Sequence, residues 1–148
     1  MDTGDFNIGG NKMKLELQKK LFEKYPKIFA DKDKSMKETA MCWGIETGDG
    51  WYSLINCLCG QIQAECDRLG DNYQVVASQV KEKLGGLRFY TNCSTDTIEG
   101  YISFAVSLSY YICEKCGKMD RTVTQTRGWI ITLCECCRNK RSEHKNEA

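Results

Sequence analysis

Gln79-Val-Lys-Glu-Lys-Leu-Gly-Gly-Leu-Arg-Phe-Tyr90 holds two extended runs joined at a pair of glycines. Upstream, Val75, Ala77 and Gln79 alternate with Val76, Ser78 and Val80; downstream, Leu87-Arg-Phe-Tyr-Thr91 is a second run of strand-forming residues. Lys83-Leu-Gly-Gly86 lies between them, and its glycines tolerate positive φ, so the pattern predicts a β-hairpin over residues 73–92. Alternation sets Lys81 and Lys83 on one side near the turn, and Arg88 and Tyr90 on one face of the second strand. Cations and aromatics beside a glycine turn suit a phosphate and a stacked base, but they also suit a charged strand edge that resists aggregation.

Helical patterns flank the hairpin. Before it, Trp51, Leu54, Ile55, Leu58, Ile62, Cys66 and Leu69 trace one face of a helix over about 50–69. Asp49 is its expected N-cap and Gly70 its C-terminal stop. After it, Ser94 or Thr95 opens a helix over about 95–112 whose apolar positions run from Ile98 to Ile112. Nearer the N-terminus, Leu17, Leu21, Phe22 and Tyr25 predict a helix over about 14–25 that ends before Pro26. Residues 1–13, rich in Gly, Asn and Asp, read as a flexible leader. Residues 41–51, with three glycines and two tryptophans, read as an ordered loop. Trp43 and Trp51 there, with Lys81, Lys83, Arg88 and Tyr90, form the expected ligand or partner surface. Glu46 and Asp49 in the same loop suit either a polar ligand or loop capping.

The last quarter has a different logic. Cys113-Glu-Lys-Cys116 and Cys134-Glu-Cys-Cys137 are two Cys-x-x-Cys pairs seventeen residues apart. That spacing is a zinc signature, and four thiolates close a tetrahedral shell at about 2.3 Å from the ion with no open position for water. Cys113, Cys116, Cys134 and Cys137 are therefore the expected ligands of one structural zinc per chain, with Cys136 a possible competitor. Between the pairs, residues 122–126 and 129–133 form extended runs around Arg127-Gly128, and a polar helix starts after Cys134. A knuckle, a hairpin and a Cys pair at a helix start describe a treble-clef or zinc-ribbon-like module over 113–148 with a polar C-terminal tail. The fold class is α+β: a core over 14–112, with helices packed on the hairpin, followed by this four-cysteine module.

Composition bounds the function. The 148 residues carry 21 Lys+Arg against 20 Asp+Glu, a net charge of +1, with 41% hydrophobic residues. This excludes a highly basic coat and a charged disordered chain. No apolar run approaches the roughly 18 residues of a membrane span, and the N-terminus has no hydrophobic signal core, so the expectation is a soluble cytoplasmic protein without membrane contact. Ten cysteines in such a chain favour metal ligation and reduced thiols over disulfides. Cys42, Cys57, Cys59, Cys66 and Cys93 then read as packing thiols. Charge is uneven: −4 over residues 41–74 and +3 over 111–148. The single histidine, His144, lies in the polar tail, which disfavours Cys–His chemistry.

Several segments together resemble a group of small phage- and prophage-encoded zinc-module proteins of unknown function. They are Tyr25-Pro-Lys-Ile-Phe29, Gly50-Trp-Tyr-Ser-Leu-Ile55, Gln79 to Tyr90, Cys113-Glu-Lys-Cys-Gly117 and Gly128-Trp-Ile-Ile-Thr-Leu-Cys134, spanning most of residues 14–137. The segment Met119 to Thr126 is longer and less glycine-rich than the group's pattern, and Cys136 is an extra thiol. The resemblance implies phage origin rather than a chemistry. The resulting expectation is a non-enzymatic zinc-binding protein of the host cytoplasm that binds and blocks a host protein, such as a component of an antiviral defence system. Two alternatives are a nucleic-acid-binding zinc module, resting on Arg121, Arg127, Arg138, Lys140 and Arg141, and the sequestration of a nucleotide between the aromatics and Lys81, Lys83 and Arg88.

Overall fold

The structure is a computed structural model that describes residues 12–146. The predicted leader lies outside the described residues except for its end, where Met13 is buried in the core and donates its N–H to the Ile45 carbonyl (3.1 Å). Helix α1 spans Leu15–Lys24 and stops before Pro26, which cannot extend it. Its start is capped from a distance. Asp49, expected to cap the following helix, instead accepts the Lys14 N–H (2.8 Å) and pairs with the Lys14 ammonium (3.7 Å). A carboxylate at this end of α1 also complements the helix dipole.

The loop over 41–51 contains a strand that its sequence does not signal. Strand β1, Ile45–Glu46, pairs in parallel with β2, Ala77–Lys83, which pairs antiparallel with β3, Gly86–Thr91. Helix α2, Tyr52–Leu69, makes the crossover that a parallel pair requires, so a βαβ unit precedes the hairpin. Two residues are too few to show alternation, and β1 forms only because β2 offers its edge. The turn also differs from expectation. Leu84 and Gly85 form the two-residue loop, and Gly86 opens β3 beneath the Tyr110 hydroxyl.

Ile45, Val80 and Phe89 stand in register across the sheet and are all buried. Against them pack Leu54, Ile55, Leu58 and Ile62 of α2, and Ile98, Ile102 and Ala105 of α3, Asp96–Ser109. Each fully buried Leu or Ile contributes roughly 1.5–3 kcal/mol of transfer free energy. Thr95 caps α3 by accepting the Ile98 N–H (3.3 Å), and Gly70 ends α2 with its N–H on the Cys66 carbonyl (2.9 Å). The third helix ends at Ser109, earlier than the apolar pattern suggests, and there the Ser109 hydroxyl accepts the Leu87 N–H (2.9 Å). The C-terminal module has β4, Thr124–Gln125, antiparallel to β5, Thr132–Leu133, then α4, Glu135–Asn146. Its own core is small: Cys113, Val123, Leu133, Cys134 and Cys137. No helix among the described residues is long and apolar enough to cross a membrane.

Gln18 is the buried polar pin of the N-terminal half. Its Nε2 donates to the Met13 carbonyl (2.6 Å) and its Oε1 accepts the Ile45 N–H (2.9 Å). Gln18→Leu keeps the volume but strands two buried backbone groups, so chemical denaturation should report a loss of about 1–3 kcal/mol. An unchanged midpoint would show that solvent reaches these groups.

Candidate metal centre

The Cys113-Glu-Lys-Cys116 segment forms a tight turn. Gly117 donates its N–H to the Cys113 carbonyl (2.8 Å), and Cys113 donates its own to the Lys118 carbonyl (2.8 Å). Glu114, fully buried, ties this knuckle to the second hairpin by donating its N–H to the Thr132 carbonyl (3.0 Å). The other pair lies at the start of α4, where the Cys137 N–H points at the Cys134 sulfur (3.5 Å). The sulfurs of Cys113, Cys116, Cys134 and Cys137 all lie within 4.8 Å of one another, so the group can hold a metal ion. Cys116 Sγ and Cys134 Sγ are 3.7 Å apart, close to the edge of about 3.8 Å that a sulfur tetrahedron has around an ion at about 2.3 Å. Cys136 is exposed and stands outside the group, which removes it as a competing ligand in this arrangement.

The thiols are unequal. Burial pushes the Cys134 thiol up, but the Cys137 N–H and the thiols of Cys137, Cys116 and Cys113 more than offset it and bring it down to about 7. Burial and the neighbouring thiols raise Cys137, and burial raises Cys116 most. Among Cys116, Cys134 and Cys137, Cys134 is thus the one most readily ionised, and binding an ion through thiolates releases protons. The helix N-terminus around Cys134 favours that negative charge.

The module is locked to the core by backbone. Gly50 donates its N–H to the Glu114 carbonyl (2.7 Å), and a Cβ on Gly50 would collide with the Cys113 and Glu114 backbone. Beside it, Trp51 is fully buried and donates its indole N–H to the Ile112 carbonyl (2.9 Å). Trp51, expected at a ligand surface, is therefore a core anchor, because its ring fills the joint between α2 and the knuckle. Cys116 remains exposed and lines a groove of about 430 Å³ with Leu17, Tyr52, Leu54, Ile112 and Met119.

The rest of the expected surface divides. Lys81 and Arg88 face each other across β2 and β3, and Tyr90 opposite Gln79 is exposed. Lys83 at the strand end is exposed, and Trp43 is half-exposed in the separate turn Ala40–Trp43. Arg88 is engaged internally, donating to the Leu87 carbonyl (2.9 Å) and reaching the Tyr110 hydroxyl (3.5 Å). Glu46 stands in register beside Lys81, and its Oε1 is buried without a hydrogen-bond partner among the described residues. Of the other thiols, Cys59 and Cys66 are buried as packing groups, and burial pushes the Cys59 thiol up. Cys57 and Cys93 are exposed, which corrects their reading as packing thiols. Neither the role of Gly50 nor that of Thr132 was visible beforehand; the cluster of Gly44, Gly48 and Gly50 was the one signal of close backbone approach.

Compared with known proteins, the chain matches no family model, no curated protein and no solved structure.

Freshly purified protein should carry one metal ion per chain by elemental analysis. Cys113→Ser and Cys137→Ser should lose it together with amide-exchange protection over 113–146, while Cys136→Ser should keep both. Affinity should fall as pH drops, since each proton returned to a thiolate competes with the ion; a pH-independent affinity would contradict thiolate ligation. Gly50→Ala should leave metal content intact but detach the module, seen as increased exchange at the residue 50 amide and the Trp51 indole N–H. Unchanged exchange there would mean that the knuckle tolerates a shift.

Proposed function

We propose that the chain is a non-enzymatic zinc-binding protein of phage type that binds a host protein and blocks it, in the cytoplasm of the host cell. A component of an antiviral defence system is the target class that suits a small stoichiometric inhibitor. The observation that carries this reading is the pairing of a closed four-thiolate group with large exposed side chains on and beside the same module. Tyr111, Met119 and Trp129 are all exposed around the knuckle and second hairpin. Aromatic residues and Met at a surface are the composition of protein interfaces. Four sulfurs suit a structural Zn²⁺, and a segment of this size with so small an apolar core needs such a staple. Knuckle, hairpin and helix fit a treble-clef arrangement, with zinc holding the surface rigid.

Two of the five cations of the nucleic-acid alternative are engaged internally, Arg141 weakly with the Thr126 hydroxyl (3.5 Å) and Arg138 firmly. Arg138 donates to the Thr122 and Leu133 carbonyls (3.1 and 2.8 Å) and to the Thr124 hydroxyl. Four thiolates around one Zn²⁺ also carry a net charge of −2, which brings the +3 of residues 111–148 to about +1. The nucleotide alternative loses Trp51, and its Arg88 is held internally.

Immobilised zinc-loaded protein exposed to host lysate should retain one protein at fixed stoichiometry, and retention should survive moderate salt. Retained DNA or RNA lost between about 50 and 200 mM salt would instead support the nucleic-acid reading. A co-purifying nucleotide would support sequestration, and protein purified without zinc would remove the metal from the proposal.

A further inference from the structure

The turn between β2 and β3 is made of a residue that such turns disfavour. Leu84 and Gly85 have φ of +53° and +82° between the paired residues Lys83 and Gly86, the signature of a type I′ hairpin loop. Asn, Asp or Gly normally takes the first position, because in the left-handed region Cβ crowds the following carbonyl oxygen, a cost that Gly lacks and that the short polar side chains of Asn and Asp offset by local hydrogen bonds. Leu84 is 62% exposed, so burial does not offset that strain. Backbone strain of this kind clusters at functional sites.

The tip is braced against the metal module. The fully buried Thr132 donates its hydroxyl to the Gly85 carbonyl (2.6 Å), and a Cβ on Gly85 would lie 3.1 Å from Ile130 Cγ2. Gln125 closes the joint by donating to the Thr132 hydroxyl and the Tyr110 carbonyl (both 3.1 Å). Next to Ile130, Trp129 is 74% exposed, in a loop whose Thr126 hydroxyl donates to the Trp129 carbonyl (2.7 Å) and accepts the Ile131 N–H (2.9 Å). Two hairpin tips are thus tied together, each carrying one large exposed apolar side chain on a fixed backbone.

Their surroundings are cationic. Lys83 precedes Leu84 and Arg127 lies two residues before Trp129; both are exposed. The acid beside the first turn, Glu82, turns inward along the loop to accept the Gly85 N–H (2.9 Å) and keeps its charge, so Lys83 and Arg127 leave the two tips with an excess of one positive charge among these three groups. Building on the binding reading above, we infer that Leu84 and Trp129 form a two-pronged docking tip for a host protein that offers an apolar cleft rimmed by carboxylates. Trp is the residue most enriched at interface hot spots, and a rigid pair of tips loses little entropy on docking.

Two measurements test this. Leu84→Asn creates Asn-Gly, the preferred I′ sequence, and should raise the melting temperature of the zinc-loaded protein by about 2–4 °C. A lower melting temperature would show that Leu84 serves stability and would overturn its assignment. In the second, clarified host lysate is passed over immobilised wild type and variants of matched zinc content and circular dichroism. Leu84→Asn and Trp129→Ala should each weaken retention of the protein held by the wild type at least tenfold, and Lys83→Glu with Arg127→Glu should weaken it further. Phe104→Ala, which removes an equally exposed ring (71%) on α3, should leave it unchanged. Retention that survives both tip substitutions overturns the docking tip while the binding reading stands. Stronger retention after charge reversal overturns the acidic rim. If the wild type retains no protein, the binding reading fails and the tip with it.

Discussion

Backbone contact between Gly50 and the Cys113–Gly117 knuckle holds the two parts of this protein together. The Gly50 N–H is used by Glu114, the Trp51 indole by Ile112, and no side chain fits between the two backbones. Contact at that distance fixes the start of α2, which carries much of the core, against a module whose own core is too small to hold it folded. The placement of the four-cysteine group on the core therefore rests on this contact. An ion held by the four sulfurs would keep the knuckle in shape, and the knuckle gives Gly50 and Trp51 their hydrogen-bond partners.

A second joint works at the other side of the module. Thr132 reaches the Gly85 carbonyl while its own carbonyl accepts from Glu114, so one buried residue of β5 connects the first hairpin to the knuckle. Between these joints lies Tyr110, over Gly86 and against Arg88. The polar groups that the sequence offered as a ligand surface are drawn into this framework, Arg88 and Trp51 above all. Lys83 and Tyr90 stay exposed, and so do large apolar side chains: Leu84 and Trp129 at the tips, Tyr111 and Met119 near the knuckle. Such a surface suits recognition of another macromolecule better than capture of an anion, and it is on this balance that the proposed function rests.

Much of the local structure was legible from residue pattern alone. The 3.6-residue period located α1, α2 and α3 within a few residues, and alternation located β2 and β3. The Cys-x-x-Cys pairs identified the four residues that come together, because ligand spacing is a local property of chain geometry. Three features were not legible. β1 is two residues long and exists only through β2. Asp49 looked like the cap of its own helix, yet the Lys14 N–H lay within reach after folding. Leu84 entered a left-handed turn that the Gly85-Gly86 pair had seemed to reserve for glycine, since register with Lys83 placed the loop one residue earlier.

By itself, then, the sequence determined a fold that mixes helices with small sheets, the main helices and hairpin, and the four sulfurs that come together. These follow from periodicity and spacing, which act over a few residues. Only the tertiary structure decided which side chains face solvent and which contacts join distant segments. Trp51 and Trp129 are chemically alike, but one fills the joint at Ile112 and the other stands 74% exposed on a braced loop. That difference arises from close packing between segments far apart in the chain, which no local pattern encodes.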